Sequence, residues 1–325
     1  MLYLEELVDV VLSEEGQTLM GLDFLIETLD LPMKKIDRIF RKALSEYSER
    51  RPMKKTTIVN SFTLDQDGNS GYIQMPEGTT SCRVARYGVL PNQMPRYYMP
   101  HFSEQMVEFD PTTLTCRVWP PVTPLRLTYT QKYKPRTDIL LSGVVSMPFK
   151  SDFIDMTLDT MFAGDTLEFT KIVRKVDEET GEEYFETLTL KPVEDEETKD
   201  IMCKHAHEDV LLGGTLGEGK MNILSREIEI DLSEDAMLDN SPITYSYYPK
   251  YSVVEELDIG HYVLTKMFAA RLLEALAALR SQATQEALHK IVLTSDELYT
   301  RVQELKKEVR EICRATISFG SMSPM

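Results

Sequence analysis

The segment from Gly214 to Lys220 has the GxxxxGK spacing of a phosphate-binding loop. In such a loop the backbone amides and the lysine bind phosphates, the next residue is a Ser or Thr that ligates magnesium, and a helix follows. Here Met221 follows the lysine, and residues 221–232 have the pattern of a strand. Both requirements fail, so the sequence predicts a flexible glycine loop rather than a nucleotide site.

A second segment resembles the beginning of a calcium-binding loop. Asp65, Asp67 and Asn69 occupy its first three ligand positions. The glycine required at the sixth position is replaced by Ser70, and the bidentate glutamate required at the twelfth is replaced by Pro76. Because Asp, Asn and Gly also favour tight turns, we expect a hairpin turn here and no calcium site.

Three potential metal ligands, Cys203, His205 and His207, lie within five residues. Strand alternation would place them on one side, but a structural zinc site needs a fourth ligand, for which the sequence shows no source. The other histidines are isolated, and no nucleophile lies in a GxSxG context. The four cysteines, at positions 82, 116, 203 and 313, form no CxxC pair, which indicates reduced thiols. We therefore expect no catalytic residue, no metal and no cofactor.

Two aromatic segments, residues 94–102 and 245–251, are candidates for protein contacts. Both combine prolines with several large aromatic side chains, and the first also contains an arginine. Aromatic and arginine side chains concentrate at interfaces, but they also fill the core beneath loops, and the sequence leaves both interpretations open. The candidate interface residues in these segments are Arg96, Tyr97, Tyr98, Phe102, Tyr247 and Tyr248.

The charge of the chain limits the possible partners. Its 325 residues include 36 Lys and Arg against 53 Asp and Glu, a net charge of −17. Nucleic acids are bound by neutralising phosphates with basic side chains, so specific DNA or RNA binding is not expected. An acidic surface could instead line a channel through which DNA passes without binding.

The N-terminus lacks the basic residues of a signal peptide, and no apolar run approaches the about 20 residues of a membrane span. We expect cytoplasmic synthesis and no membrane association.

The N-terminal part of the chain has helical periodicity. A helix is predicted between Pro32 and Pro52, with Asp30 as its N-cap and an apolar face about 100° wide. That face consists of Ile36, Ile39, Phe40, Ala43, Leu44 and Tyr47.

The C-terminal part is also predicted to be helical. One helix is expected over about 257–281, and the capping box Thr294-x-x-Glu297 begins another. Apolar residues in that last helix are spaced by four and three, which is typical of a helix-packing seam. We expect a helical hairpin, and the seam residues Leu298, Val302 and Leu305 are further interface candidates.

The middle of the chain is predicted to form strands. From residue 56 the apolar period changes to two, and many prolines between 52 and 124 favour short strands with irregular connections. Strand-like segments 166–170 and 184–190 flank the polar tip Asp177 to Gly181, which predicts a long, exposed hairpin. Residues 226–232 alternate as a half-buried strand does.

These patterns predict an α+β protein, in which helices from both termini pack as a helical part beside an antiparallel, β-sandwich-like body with a long hairpin. The expected segments are N-terminal helices (1–55), a first β segment (56–137), a second β segment or insertion (138–251) and a C-terminal helical hairpin that packs on the N-terminal helices (252–325).

Four passages resemble the neck, or head-to-tail adaptor, proteins of tailed bacteriophages. The passage from Ala43 to Pro52 is similar to the opening of that family, where a helix leads directly into a β domain. Residues 109–119 resemble its Phe-Asp-Pro strand passage, and residues 245–248 lead into a C-terminal helical pair in a similar way. The helix over 293–312 also has a counterpart there, whereas residues 138–240 have none.

The resemblance implies a virion structural protein that forms a ring around the DNA channel between portal and tail. Its partners would be further copies of itself, the portal, the tail terminator or other neck proteins, and genomic DNA that passes through without specific binding. It implies no catalytic residue and no cofactor. A baseplate or tail-completion protein is the alternative of the same class. A host-attachment or carbohydrate-binding module is the alternative of another class, and an ATP-dependent enzyme would depend on the glycine loop.

Overall fold

The computed structural model describes residues 1–29, 31–87, 106–119, 121, 123–145, 153–193, 209–222, 226–237, 241–255, 261–283 and 292–320. Within these ranges the helices are α1 (Leu4–Thr18), α2 (Leu22–Thr28), α3 (Met33–Arg50), α4 (Glu234–Met237), α5 (His261–Gln282) and α6 (Ser295–Gly320).

The strands lie between α3 and α5, except for the short β1 at the N-terminus. They are β1 (Leu2–Tyr3), β2 (Met53–Val59), β3 (Thr63–Leu64), β4 (Gly71–Gln74), β5 (Thr79–Tyr87), β6 (Met106–Asp110), β7 (Thr115–Trp119), β8 (Leu125–Gln131), β9 (Leu141–Val144), β10 (Phe153–Thr157), β11 (Glu168–Val176), β12 (Glu183–Val193), β13 (Asp209–Gly214), β14 (Gly217–Asn222), β15 (Glu227–Leu232), β16 (Ile243–Tyr247) and β17 (Val253–Val254).

The chain divides into two compact units. The first contains residues 1–9 and 135–254, and the second contains residues 10–134 and 255–325. The first unit therefore holds most of the 138–251 segment. The second unit combines the small strands of the 56–137 segment with helices from both ends of the chain.

Helix α3 of the second unit is the helix expected between Pro32 and Pro52. It begins at Met33 with Pro32 as the N-cap and without a side-chain capping bond, so the predicted Asp30 cap is wrong. Asp30 itself lies outside the described residues. Apart from the half-buried Ile39, the predicted apolar face is buried, and the ring of Phe40 packs edge-on against Phe268 of α5 with centroids 5.8 Å apart.

Helices α5 and α6 pack against each other as the expected hairpin. The capping box of α6 forms as predicted: the hydroxyl and backbone N–H of Thr294 each donate to Glu297 Oε2 at 2.7 Å. The backbone N–H of Glu297 donates back to Thr294 Oγ1 at 3.2 Å. These bonds satisfy amides that would otherwise lack partners at the start of the helix.

Buried charges join α1, α5 and α6 within the second unit. Arg301 of α6 binds both carboxylate oxygens of Glu15, at 2.7 and 3.2 Å, and Glu15 is 1% exposed. Lys266 of α5 lies 3.7 Å from the carboxylates of Glu14, Glu15 and Glu308. Burial alone would lower the pKa of Lys266, but the surrounding carboxylates, first that of Glu15, raise it. Lys266 is therefore charged at neutral pH.

Two small antiparallel sheets of the second unit share one apolar core. Their strand orders are β2-β8-β5 and β3-β4-β7-β6. Both sheets contribute buried side chains to the same cluster, which is the arrangement of a sandwich. The buried members are Val59, Met75, Cys116, Val118, Leu125, Leu127 and Tyr129.

The first unit is built on an eight-stranded antiparallel sheet. Its strand order is β10-β15-β14-β13-β12-β11-β16-β9. Residues from its two outermost strands, Ile154 of β10 and Leu141 of β9, belong to one apolar cluster, because the sheet is curled. Strand β15 alternates exposed and buried residues along its whole length, as its sequence predicts. The α+β class, with helices at both termini and antiparallel sheets, is confirmed.

Candidate interaction site

The predicted long hairpin is formed by β11 and β12, which pair from Phe169–Leu190 out to Val176–Glu183. Strand β16 pairs with β11 at residues 168–171, and β13 pairs with β12 at residues 190–193. Beyond these neighbours, residues 172–176 and 183–187 pair as strands with each other alone within the described part of the chain. We call residues 172–187 the arm.

The tip of the arm is a turn that its own sequence stabilises. Asp177 Oδ1 accepts the backbone N–H groups of Glu179 at 2.8 Å and Thr180 at 3.1 Å. These bonds lower the pKa of Asp177. Gly181 has φ +70°, a left-handed conformation that glycine adopts without strain. The tip is therefore held in one conformation although its side chains are exposed.

Ion pairs brace the two strands of the arm. Arg174 pairs with Glu183 across the hairpin, and Lys175 contacts Glu186 at 2.7 Å and Asp235 of α4 at 3.1 Å. The hydrogen bonds to Glu186 and Asp235 raise the pKa of Lys175. Because these groups are exposed, we assign their pairing to the orientation of the arm rather than to its stability.

One face of the arm exposes apolar side chains. In the strand register Arg174 lies opposite Phe185, so the outward-facing residues of β11 and β12 in this region share a face. On that face Phe185 is 74% exposed, Val176 57% and Ile172 56%. Arg174, Glu183 and Thr187 share this face. Single exposed apolar residues are ordinary on surfaces, but a group of them beside polar residues is typical of a site of protein contact.

The glycine loop has a structural role in the first unit. Gly214 ends β13 and Gly217 begins β14, so the predicted flexible loop over residues 214–220 is wrong for residues 217–220, which lie in a strand. Met221 continues this strand, as expected, rather than starting a helix. A Cβ atom at Gly217 would lie 1.7 Å from the carbonyl O of Asp231, and one at Gly219 would lie 2.2 Å from that of Glu229. These glycines allow close approach of the neighbouring strand.

The calcium-like segment is a hairpin turn between β3 and β4, as predicted. Asp65 accepts the backbone N–H of Ser70 at 3.2 Å, and hydrogen bonding from Ser70 lowers the pKa of Asp65. Cys203, His205 and His207 lie outside the described residues. Within the described ranges, no three His, Cys, Asp or Glu side chains are grouped as metal ligands.

The interface residues predicted from the sequence have different outcomes. Arg96, Tyr97, Tyr98 and Phe102 lie outside the described residues. Tyr248 is 39% exposed, whereas Tyr247 is buried in the core of the first unit. The seam residues of α6 have no exposed surface, because the chain's own helices cover them. The prediction of an interface is therefore wrong for Tyr247, Leu298, Val302 and Leu305.

The apolar face of the arm was missed by the sequence analysis. A signal was present in the adjacent aromatic residues Tyr184 and Phe185, since neighbouring residues of a strand face opposite sides. Both cannot enter one core, so one of them has to face outward.

Comparison of the chain with protein-family models, with curated proteins and with solved structures finds no match. In the part of the chain that the structure describes, no helix is long and apolar enough to span a membrane.

Proposed function

We propose that this chain is a structural subunit of a tailed-bacteriophage virion, which assembles into a ring at the neck between portal and tail. The observation that carries this proposal is the arm, on which Phe185, Val176 and Ile172 expose apolar surface beside one another. An assembling subunit needs such a surface, because the burial of apolar area drives association.

The construction of the arm supports a contact with another protein. The two strands of the arm extend past their neighbours in the sheet, and their inner face is covered, since Val173 is 2% exposed and Lys175 contacts Asp235 of α4. Three large apolar side chains exposed to water on the outer face are unfavourable for solubility. A partner that covers this face would remove that disadvantage.

Two features of the sequence support the neck as the place of assembly. The helical passages at residues 43–52 and 293–312 resemble those of neck proteins. The net charge of −17 suits a subunit that surrounds DNA without binding it, because carboxylates repel phosphates. A baseplate protein would share the charge but not this resemblance.

The proposal is tested by replacing Phe185 with serine in the phage that encodes the chain. Apolar anchors at interface centres contribute strongly to affinity, so we expect Phe185→Ser to reduce the number of copies per purified particle about tenfold. Phe24→Ser is the matched control, because Phe24 of α2 is also exposed, at 44%, but lies outside the arm. Incorporation of Phe185→Ser at the wild-type level would contradict the proposed role of the arm.

A further inference from the structure

A cavity of about 200 Å³ lies between α3, α5 and α6 in the second unit. Met267 and Ala270 of α5 and Val309 of α6 contribute buried apolar side chains to its lining. Four cations also line it: Arg50, Arg271, Lys306 and Arg310. We call this cavity the basic pocket.

The cations of the basic pocket differ in how they are paired. Arg271 contacts Glu46 and also Glu274, the latter at 2.9 Å, and Lys306 contacts Glu274 from α6. These two carboxylates satisfy Arg271 and Lys306. Their positions are thereby fixed on the wall of the cavity.

Arg50 and Arg310 have no such carboxylate. Both are exposed, and neither forms an ion pair or side-chain hydrogen bond with any described residue. In a chain with a net charge of −17, two unpaired arginines beside a cavity are a local excess of positive charge. They favour an acidic occupant.

The chain itself carries an acidic segment of suitable form. The tip of the arm, residues 177–183, contains five carboxylates. Asp177 is used in the turn and Glu183 pairs with Arg174, whereas Glu178, Glu179 and Glu182 have no ion-pair partner among the described residues. The turn is already ordered, so binding would cost little conformational entropy.

We propose that the basic pocket of one subunit binds the acidic tip of the arm of a second copy, an inference that rests on the proposed function. A small inorganic anion would satisfy Arg50 and Arg310 but leave most of the cavity of about 200 Å³ unfilled. The arm offers the carboxylates of its tip together with the adjacent Tyr184, which is 48% exposed. Each subunit then donates an arm to one neighbour and a pocket to the other, which is the heterologous contact that closes a ring.

The experiment uses two charge reversals introduced into the phage that encodes the chain. The tip variant is Glu178→Lys/Glu179→Lys, and the pocket variant is Arg50→Glu/Arg310→Glu. Either variant alone brings like charges together where the tip of one copy meets the pocket of the next. Each is therefore expected to lower the number of copies per particle about tenfold. When the two variants are co-expressed, every contact between unlike copies is again complementary, and incorporation is expected to recover.

Two controls accompany the reversals. Asp67→Lys/Glu108→Lys changes the charge by the same amount as the tip variant at exposed positions outside the arm, and it is expected to incorporate normally. Circular dichroism melts of the purified variants should match the wild type, since all substituted side chains are exposed. Recovery in the mixture also requires that both variants are folded.

The outcomes separate the inference from the proposed function. If the wild-type chain is present in particles and either reversal alone incorporates normally, or the mixture does not recover, the contact between tip and pocket is wrong while the neck role stands. If the wild-type chain is absent from particles, the proposed function fails, and this inference fails with it.

Discussion

At the scale of single residues, the carboxylate of Glu15 is the most completely buried acidic group among the described residues, at 1% exposure. Arg301 neutralises it with two hydrogen bonds, and those bonds raise the pKa of Arg301. A buried ion pair adds little stability compared with an apolar pair, but removal of one partner leaves a charge buried without compensation. The helical part therefore depends on both members being present.

We predict that Arg301→Met lowers the free energy of unfolding by about 3 kcal/mol. The matched control is Arg41→Met, which removes the i,i+4 pair of the 44% exposed Arg41 with Asp37 on α3 and is expected to cost less than about 0.5 kcal/mol. Urea unfolding followed by circular dichroism measures both values. Equal effects of the two substitutions would show that the pair at Glu15 is not effectively buried.

A second residue-scale prediction concerns Gly219 in β14. Because a Cβ atom there would meet the backbone of β15 at 2.2 Å, we expect Gly219→Ala to cost about 1–3 kcal/mol. Gly16 lies in α1 with nothing within 4 Å of its Cβ position, so Gly16→Ala is expected to stabilise by about 0.5–1 kcal/mol. Thermal melts compare the two, and a neutral Gly219→Ala would contradict the close strand approach.

The glycine loop illustrates what single residues can and cannot predict. Met221 led to the prediction that the segment is not a phosphate-binding loop, because its side chain cannot ligate magnesium. Strand β14, where such a loop requires a helix, is consistent with that prediction. The reason for the glycines was not predictable, since it depends on which strand lies beside β14. That neighbour, β15, is revealed by the register of the sheet.

At the scale of elements, the capping box at the start of α6 was predicted from four residues and formed as expected. Such local motifs are predictable because all their partners lie within one turn. The seam of α6 and its hairpin with α5 were predicted as well, but the seam residues were also candidates for contact with another protein, and the chain's own helices cover them. The four-three spacing of Leu298, Val302 and Leu305 indicates packing against a helix, and it cannot distinguish a helix of the same chain from one of another.

We predict that Thr294→Ala lowers the free energy of unfolding by about 1 kcal/mol at neutral pH. Hydrogen bonds from the side chain and backbone of Thr294 lower the pKa of Glu297. A lowered pKa stabilises the folded state fully when the pH is above the unfolded-state pKa of the group. This stabilisation is lost as the pH falls through the folded-state pKa. The difference between wild type and variant should therefore shrink below about pH 4. A difference that is constant from pH 7 to pH 3 would contradict this assignment.

The arm shows a limit of sequence patterns at the element scale. Its two strands and polar tip were predicted, because the turn residues lie together in the sequence. Its exposed face was not, because the sequence pattern does not show which face of the hairpin packs on the core. Val173 and Leu188 lie on the core face at 2% exposure, whereas Phe185 lies opposite Arg174 on the outer face.

At the scale of the whole molecule, the chain is strongly acidic, with a net charge of −17, but the basic pocket is locally positive. The charge was evident from composition, and it supports the proposal of a conduit that does not retain DNA. The pocket was not predictable, since Arg50 and Arg310 are 260 positions apart and line one cavity only because α3 and α6 both pack against α5.

The central claim, a ring subunit at the virion neck, is tested most directly by quantitative mass spectrometry of purified virions, with the portal protein as the internal standard. The account predicts about one copy of this chain per portal subunit, because a ring stacked on the portal repeats with it. Absence of the chain from purified virions would contradict the structural role altogether.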